Sequence, residues 1–284
     1  MIPYFTTQVQ ILYAIASLRN EWLDRIFLFL NYVDSEYFIM ILIPAIWMGI
    51  SRRWGMRVAV LLIISSALNY HLKNLFDLPR PIVDFPDLAM LSFRSPGLPS
   101  GGAQMATCVG GLLIYGWKSP WGWVIGILFA ALICFSRLYL GVHYPMDVIA
   151  GIIIGLAVLL PFIYSVQPIE KFCAKQRKGF CLACVTIVCL IYSFYSPDPL
   201  NIRLAAALWG FSFGVYLSSR FLLSPKHPPA LWIRIVHACI TIIIVFILYA
   251  LTSHALPRPI QAFMIALWIS FGAGFLLRAK SLLY

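Results

Sequence analysis

Charge is what this sequence has least of. Of its 284 residues 11% are charged, only ten of them acidic, while 62% are hydrophobic; soluble globular domains carry about 25% charged residues. An ordinary soluble domain is excluded. Apolar runs of helical length make the chain an all-α, polytopic membrane helical bundle. A cleavable leader is also missing from expectation, because the first residues lack a basic start, an apolar stretch and a small-residue cleavage site.

No disulfide framework is expected either. The seven cysteines (Cys108, Cys134, Cys173, Cys181, Cys184, Cys189 and Cys239) lie in or beside apolar runs, where cysteine behaves as a small hydrophobe. Cys181 and Cys184 have C-x-x-C spacing but no nearby histidine or second pair, so a metal or redox role is not expected.

The net charge of +11 could suit nucleic acid, yet the basic residues fill short loops that alternate along the chain, as orientation in a membrane demands. Arg52, Arg53 and Arg57 form one loop and Lys118 another. Lys171, Lys175, Arg177 and Lys178 form a third, Arg220, Lys226 and Arg234 a fourth, and Arg278 and Lys280 the tail. No nucleic-acid partner is expected, and all five regions are assigned to the cytoplasm. The connections between them face the other way.

Apolar runs at 37–50, 58–72, 102–115, 121–139, 145–164, 180–195, 202–222, 231–251 and 260–277 predict about nine spans. Residues 1–33, interrupted by Arg19, Glu21, Asp24 and Arg25, read as an interfacial amphipathic segment. Residues 34–166 then form a core, and 179–284 supply about four additional transmembrane helices of unassigned role. L-P-R-P-I occurs at 78–82 and again at 256–260. Leu251 stands where duplication would require the counterpart of Lys73, so the repeat reads as coincidence; each copy would end one helix and open another.

Three polar clusters stand out between residues 73 and 147. Lys73 precedes Arg80 and Pro81 by seven and eight residues; the two cations can converge on one anion, and both suit phosphate, although either can snorkel to lipid head groups. Pro99, Ser100 and Gly101 open a helix whose backbone N–H groups and dipole favour an anion, although a serine there is also an ordinary cap. Ser136 and Arg137 are followed by His143 and, four residues later, Asp147. At that spacing the carboxylate can bond one imidazole nitrogen and leave the other as the better nucleophile or base. A structural His/Asp pair is the plain alternative. All three clusters fall on the same expected membrane face, and that convergence points to a site.

K-x6-R-P, P-S-G and S-R-x5-H-x3-D together resemble the tripartite signature of the type 2 phosphatidic acid phosphatase superfamily, which includes the vanadium haloperoxidases. The resemblance runs from Lys73 to Asp147. It implies a phosphatase-type helical core in which Lys73, Arg80, Ser100, Gly101 and Arg137 hold phosphoryl oxygens. It further implies His143 as the nucleophile, forming a phosphohistidine that water hydrolyses, and Asp147 as its orienting partner. No metal or other cofactor is implied. The substrate would be a lipid phosphate or diphosphate in the bilayer, and the site would face the periplasm or exterior of a bacterial inner (plasma) membrane.

One position departs from the signature. The second motif ordinarily ends in histidine, the general acid for the leaving group, and Gly102 stands there. General acid help is worth roughly 10²–10⁴-fold, so a diphosphate lipid, whose phosphate leaving group needs little protonation, is expected to suit the site better than a monoester. Gln104, His71 and His254 are the conceivable stand-ins. Two classes therefore stay in view: a membrane lipid phosphatase or diphosphatase, and a non-catalytic lipid-phosphate binder or transporter.

Overall fold

The computed structural model describes residues 3–221 and 230–274, and every regular element among them is helical. In order these are α1 (Pro3–Ala16), α2 (Glu21–Asn31), a 3₁₀ turn (Tyr32–Asp34), α3 (Glu36–Gly49), α4 (Arg52–Phe76) and α5 (Pro81–Asp84). A second 3₁₀ turn (Pro86–Leu88) leads to α6 (Gly101–Trp117), α7 (Pro120–Tyr139), α8 (Pro145–Lys175) and α9 (Lys178–Tyr195). Then come α10 (Pro199–Phe221), α11 (Leu231–Thr252) and α12 (Arg258–Leu267), which runs into a π-helical turn (Trp268–Gly272). The helix starts are coded locally. Asn20, Ser100 and Ser119 each cap with a side-chain oxygen, and Pro81 and Pro120 occupy first-turn positions that need no N–H donor.

The chain is an integral multi-pass membrane protein. Among the described residues five helical stretches are long and apolar enough to cross: Arg52–Asp84, Pro120–Tyr139, Pro145–Lys175, Pro199–Phe221 and Leu231–Thr252. A sixth arises if α2 with its 3₁₀ turn and α3, bent by 68°, count as one broken span. Length separates the shorter apolar helices from these. With 14 and 17 residues, α3 and α6 reach about 21 and 26 Å at 1.5 Å per residue, short of a hydrocarbon core of about 30 Å. The ends of the runs at 202–222 and 260–277 lie outside the described residues, as do Lys226, Arg278 and Lys280.

Two compact units can be distinguished. The first comprises Met1–Phe38 and Ile64–Ser165. Its α6 and α7 touch backbone to backbone: a Cβ on Gly110 would stand 2.5 Å from the Gly126 carbonyl oxygen, and one on Gly126 2.6 Å from that of Gly110. Small residues allow such approach in a membrane bundle. After α7 the chain reverses at Gly141, whose φ of +66° suits glycine and whose hydrogen atom faces the Leu88 carbonyl. The N-terminal helices belong to this unit's packing. Leu12 of α1 is buried with Leu88 and Tyr144, and Phe27 of α2 with Tyr139, Leu140 and Val142. Arg19 donates to the carbonyls of Leu88 and Tyr139.

The second unit comprises Ile39–Ile63 and Val166–Tyr284. Trp47 stacks on Phe211 at 5.8 Å, and Trp209 on Phe263 at 4.8 Å. Arg57 holds Glu170 through two bonds of 2.8 and 2.7 Å. The seven cysteines are free thiols, and the Cys181 thiol points to the Cys173 carbonyl at 3.8 Å.

Candidate active site

Four helix ends meet at one end of the first unit: the last turns of α4 and α7 and the first turns of α6 and α8. They bring the three clusters together. Lys73, in the last turn of α4, donates to the carbonyl oxygens of Pro96 and Gly97. Arg80 caps α5 and spreads its fork over the same loop, from Nε to the Ser95 carbonyl at 2.7 Å and from Nη2 to the Ser95 hydroxyl at 3.0 Å. Both cations are buried, so the 95–97 loop carbonyls fix them in place of water.

Arg80 also reaches the imidazole. Its Nη1 donates to the Val142 carbonyl at 2.9 Å and lies 3.1 Å from His143 Nε2. On the ring's other side Nδ1 is 3.2 Å from Asp147 Oδ2. A guanidinium can only donate, so Nε2 is the acceptor, and the ring proton sits on Nδ1, facing the carboxylate. Asp147 is itself held by the Tyr144 backbone N–H at 3.0 Å. His143 lies between α7 and α8, and its burial, followed by the nearby charges of Arg80, Lys73 and Arg137, lowers its pKa well below the usual value. The imidazole is therefore neutral at physiological pH.

Ser100 is completely buried and caps α6, accepting from the Ala103 N–H at 3.4 Å, while its own N–H donates to the Asp147 carbonyl at 2.9 Å. That bond ties the second cluster to the third. Gly101 packs on Asn69, whose amide donates to Gln104 Oε1 at 2.8 Å.

Arg137 is 1% exposed at the end of α7. Its Nε bonds the Ser136 hydroxyl at 3.1 Å, and its Nη1 bonds Asn31 Oδ1 at 3.0 Å and Asp34 Oδ2 at 3.2 Å. Its Nη2 is buried without a hydrogen-bond partner, a costly arrangement that suits a group awaiting an anionic oxygen. Sequence reasoning missed Ser95, Asn31 and Asp34. Asp34 had one available signal: a carboxylate in a chain with ten acidic residues, between two apolar segments.

The proposed stand-ins for the absent histidine do not fill its place. Gln104 spends its amide on the Ser65 carbonyl and hydroxyl at 2.8 and 2.9 Å. His71 is exposed, edge-on to Tyr70. His254 belongs to the other unit.

A helical membrane bundle thus gathers three buried cations, a capped helix N-terminus and a carboxylate-oriented imidazole. The chain belongs to the PAP2 superfamily, whose model matches residues 54–171. Undecaprenyl-diphosphatase of Sulfolobus acidocaldarius is 30% identical over 156 residues, 52% of this chain and 74% of that protein. Sphingosine-1-phosphate phosphatase 2 of Mus musculus is 26% identical over 231 residues, covering 75% of this chain and 64% of the mouse protein. The chain thus spans less than two thirds of that relative's length. Among solved structures, Aquifex aeolicus LpxE is similar with a TM-score of 0.51 at 25% identity, over 55% of this chain and 94% of that one.

Proposed function

We propose that this chain is an integral membrane lipid phosphatase or diphosphatase that transfers a phosphoryl group to His143 Nε2 and then to water. The observation that carries the reading is the imidazole held between Asp147 and Arg80, with its proton on Nδ1 and its Nε2 lone pair turned toward the cation. Lys73, Arg80 and Arg137 would neutralise the phosphoryl oxygens, helped by the α6 N-terminus at Ser100 and Gly101. These fixed cations supply the charge stabilisation, so the reading requires no metal. The substrate class follows from similarity to enzymes named for sphingosine 1-phosphate and undecaprenyl diphosphate: a lipid-anchored monoester or diphosphate. Loop charge supports a site on the extracytoplasmic face, which in a bacterial inner membrane is the periplasm.

When substrate arrives, Arg80 Nη1 must release Nε2 and turn to a phosphoryl oxygen. Nε2 then attacks phosphorus, the bond to the leaving oxygen breaks, and Asp147 stabilises the ring's gained positive charge. Water later attacks the phosphorus and the P–N bond breaks, returning its electron pair to Nε2.

The test is phosphate release by detergent-purified protein from phosphatidic acid and from a polyprenyl diphosphate, with and without chelator. Release that persists with chelator and vanishes in His143→Ala supports the reading. A native chain that binds these lipids and releases phosphate from neither would be a lipid-phosphate binder instead.

A further inference from the structure

Resting on the phosphatase reading, we propose that Asp34 is the proton donor to the leaving group and takes the proton back from the hydrolytic water. An alkoxide cannot leave unprotonated at useful rates, and no described side chain suggested by the sequence stands ready to help it. Gln104 is committed to Ser65, and the Asp147 carboxylate to His143 and the Tyr144 N–H. Asp34, held by Arg137, is the alternative, brought in from the break between α2 and α3.

Its placement and Gly102 explain each other. A Cβ on Gly102 would stand 2.7 Å from Asp34 Oδ2, 2.9 Å from its Cγ and 3.2 Å from Arg137 Cδ. A side chain at residue 102 would have to displace the Asp34 carboxyl, which glycine leaves in place. Asp34 bonds Arg137 Nη1, which places it beside the guanidinium whose Nη2 is unpartnered. Arg137 has 1% of its side chain exposed and Asp34 29%, so the carboxyl is the more accessible member of the pair.

The step balances. His143 Nε2 forms a bond to phosphorus as the P–O bond to the lipid breaks; that oxygen takes the Asp34 carboxyl proton and departs as an alcohol. Asp34, now a carboxylate, accepts a proton from water as the water oxygen bonds phosphorus, and the P–N electron pair returns to Nε2. Asp34 ends as it began. A carboxyl donor opens alkyl monoesters to this site and removes the reason to expect a diphosphate preference from Gly102 alone.

The experiment compares an alkyl phosphate with nitrophenyl phosphate, whose phenolate leaves without a proton, in the native chain, Asp34→Asn, Gly102→His and Asp34→Ala/Gly102→His. Asp34→Asn should lower kcat on the alkyl ester by about 10²–10⁴-fold and on the nitrophenyl ester far less. Gly102→His alone should also lose alkyl activity, because the ring collides with Asp34, and the double variant should regain it. Competitive inhibition by inorganic phosphate, retained in Asp34→Asn, reports an intact anion site. Equal losses on both esters, or lost phosphate inhibition, would reduce Asp34 to a prop for Arg137 and overturn the proposal. A native chain active on a polyprenyl diphosphate but inert on both esters would also overturn the Asp34 proposal, whereas a chain inert on all three, or activity that survives His143→Ala, would instead sink the phosphatase reading beneath it.

Discussion

Arg80 Nη1 and Asp147 Oδ2 grip the two nitrogens of His143 from opposite sides, at 3.1 and 3.2 Å, and so choose its tautomer. Asp147→Asn places an amide where the carboxylate accepts. The amide N–H can donate to Nδ1, which stabilises the tautomer protonated at Nε2 and hides the attacking lone pair. A fall in kcat on the order of 10²–10⁴-fold is expected, with KM little changed. Steady-state kinetics with purified variant checks it, and a loss confined to KM would contradict the assigned tautomer.

The lowered pKa of His143 has a definite sign in the pH profile. The neutral ring is the nucleophile, so activity is present above the folded-state pKa and lost as pH falls through it. Burial and three cations hold that pKa well below the usual value, so the acid limb of kcat/KM should lie below pH ~6.5. Lys73→Met removes one repelling charge, and the limb should move to higher pH. Comparing native and variant on one substrate cancels the substrate's own ionisation.

Arg137 tests charge against geometry. Lys at this position keeps the positive charge but lacks the fork that serves Asn31 and Asp34 through Nη1 and leaves Nη2 unpartnered. One charge-assisted hydrogen bond is worth about 1.5–3 kcal/mol, so Arg137→Lys should weaken inhibition by inorganic phosphate roughly 10–100-fold. An unchanged inhibition constant would mean that Nη2 meets no phosphoryl oxygen.

The clusters at residues 73–81, 99–101 and 136–147 were legible because each is a short-range pattern, and the helix ends that bear them follow from local caps and prolines. Ser95 and Asp34 were not. Ser95 fixes Arg80 through a loop without periodicity. Asp34 reaches Arg137 across 103 positions of sequence, and its meaning depends on an absence, the missing side chain of Gly102. Hydropathy marks apolar stretches, whereas crossing also depends on helix length, which is least in α3 and α6 among the apolar helices of the core. The packing of α1 and α2 on the residues around Leu88 and Tyr139 was hidden too, since amphipathicity says that a face is buried but not against what.

The α6–α7 contact should control the site from a distance. α6 carries Ser100 and Gly102 at its start, and α7 carries Arg137 at its end, so the spacing between the two helices sets how the cap and the guanidinium face one another. At Gly126 a Cβ would meet the Gly110 carbonyl oxygen at 2.6 Å and Ile114 Cγ1 at 2.8 Å; because one neighbour is backbone, a rotamer change cannot relieve the clash. Gly126→Ala must push the helices apart, and overpacking of this kind costs about 1–3 kcal/mol. Gly179 in α9 has nothing within 4 Å of its Cβ position, so Gly179→Ala adds the same methyl without the clash. Thermal unfolding in detergent should show a lowered midpoint for Gly126→Ala and an unchanged or raised one for Gly179→Ala, since alanine favours a helix over glycine. Phosphate release should fall only in the first. Equal midpoints for the two variants would show that the helices yield at this crossing, and that the site does not depend on their close approach.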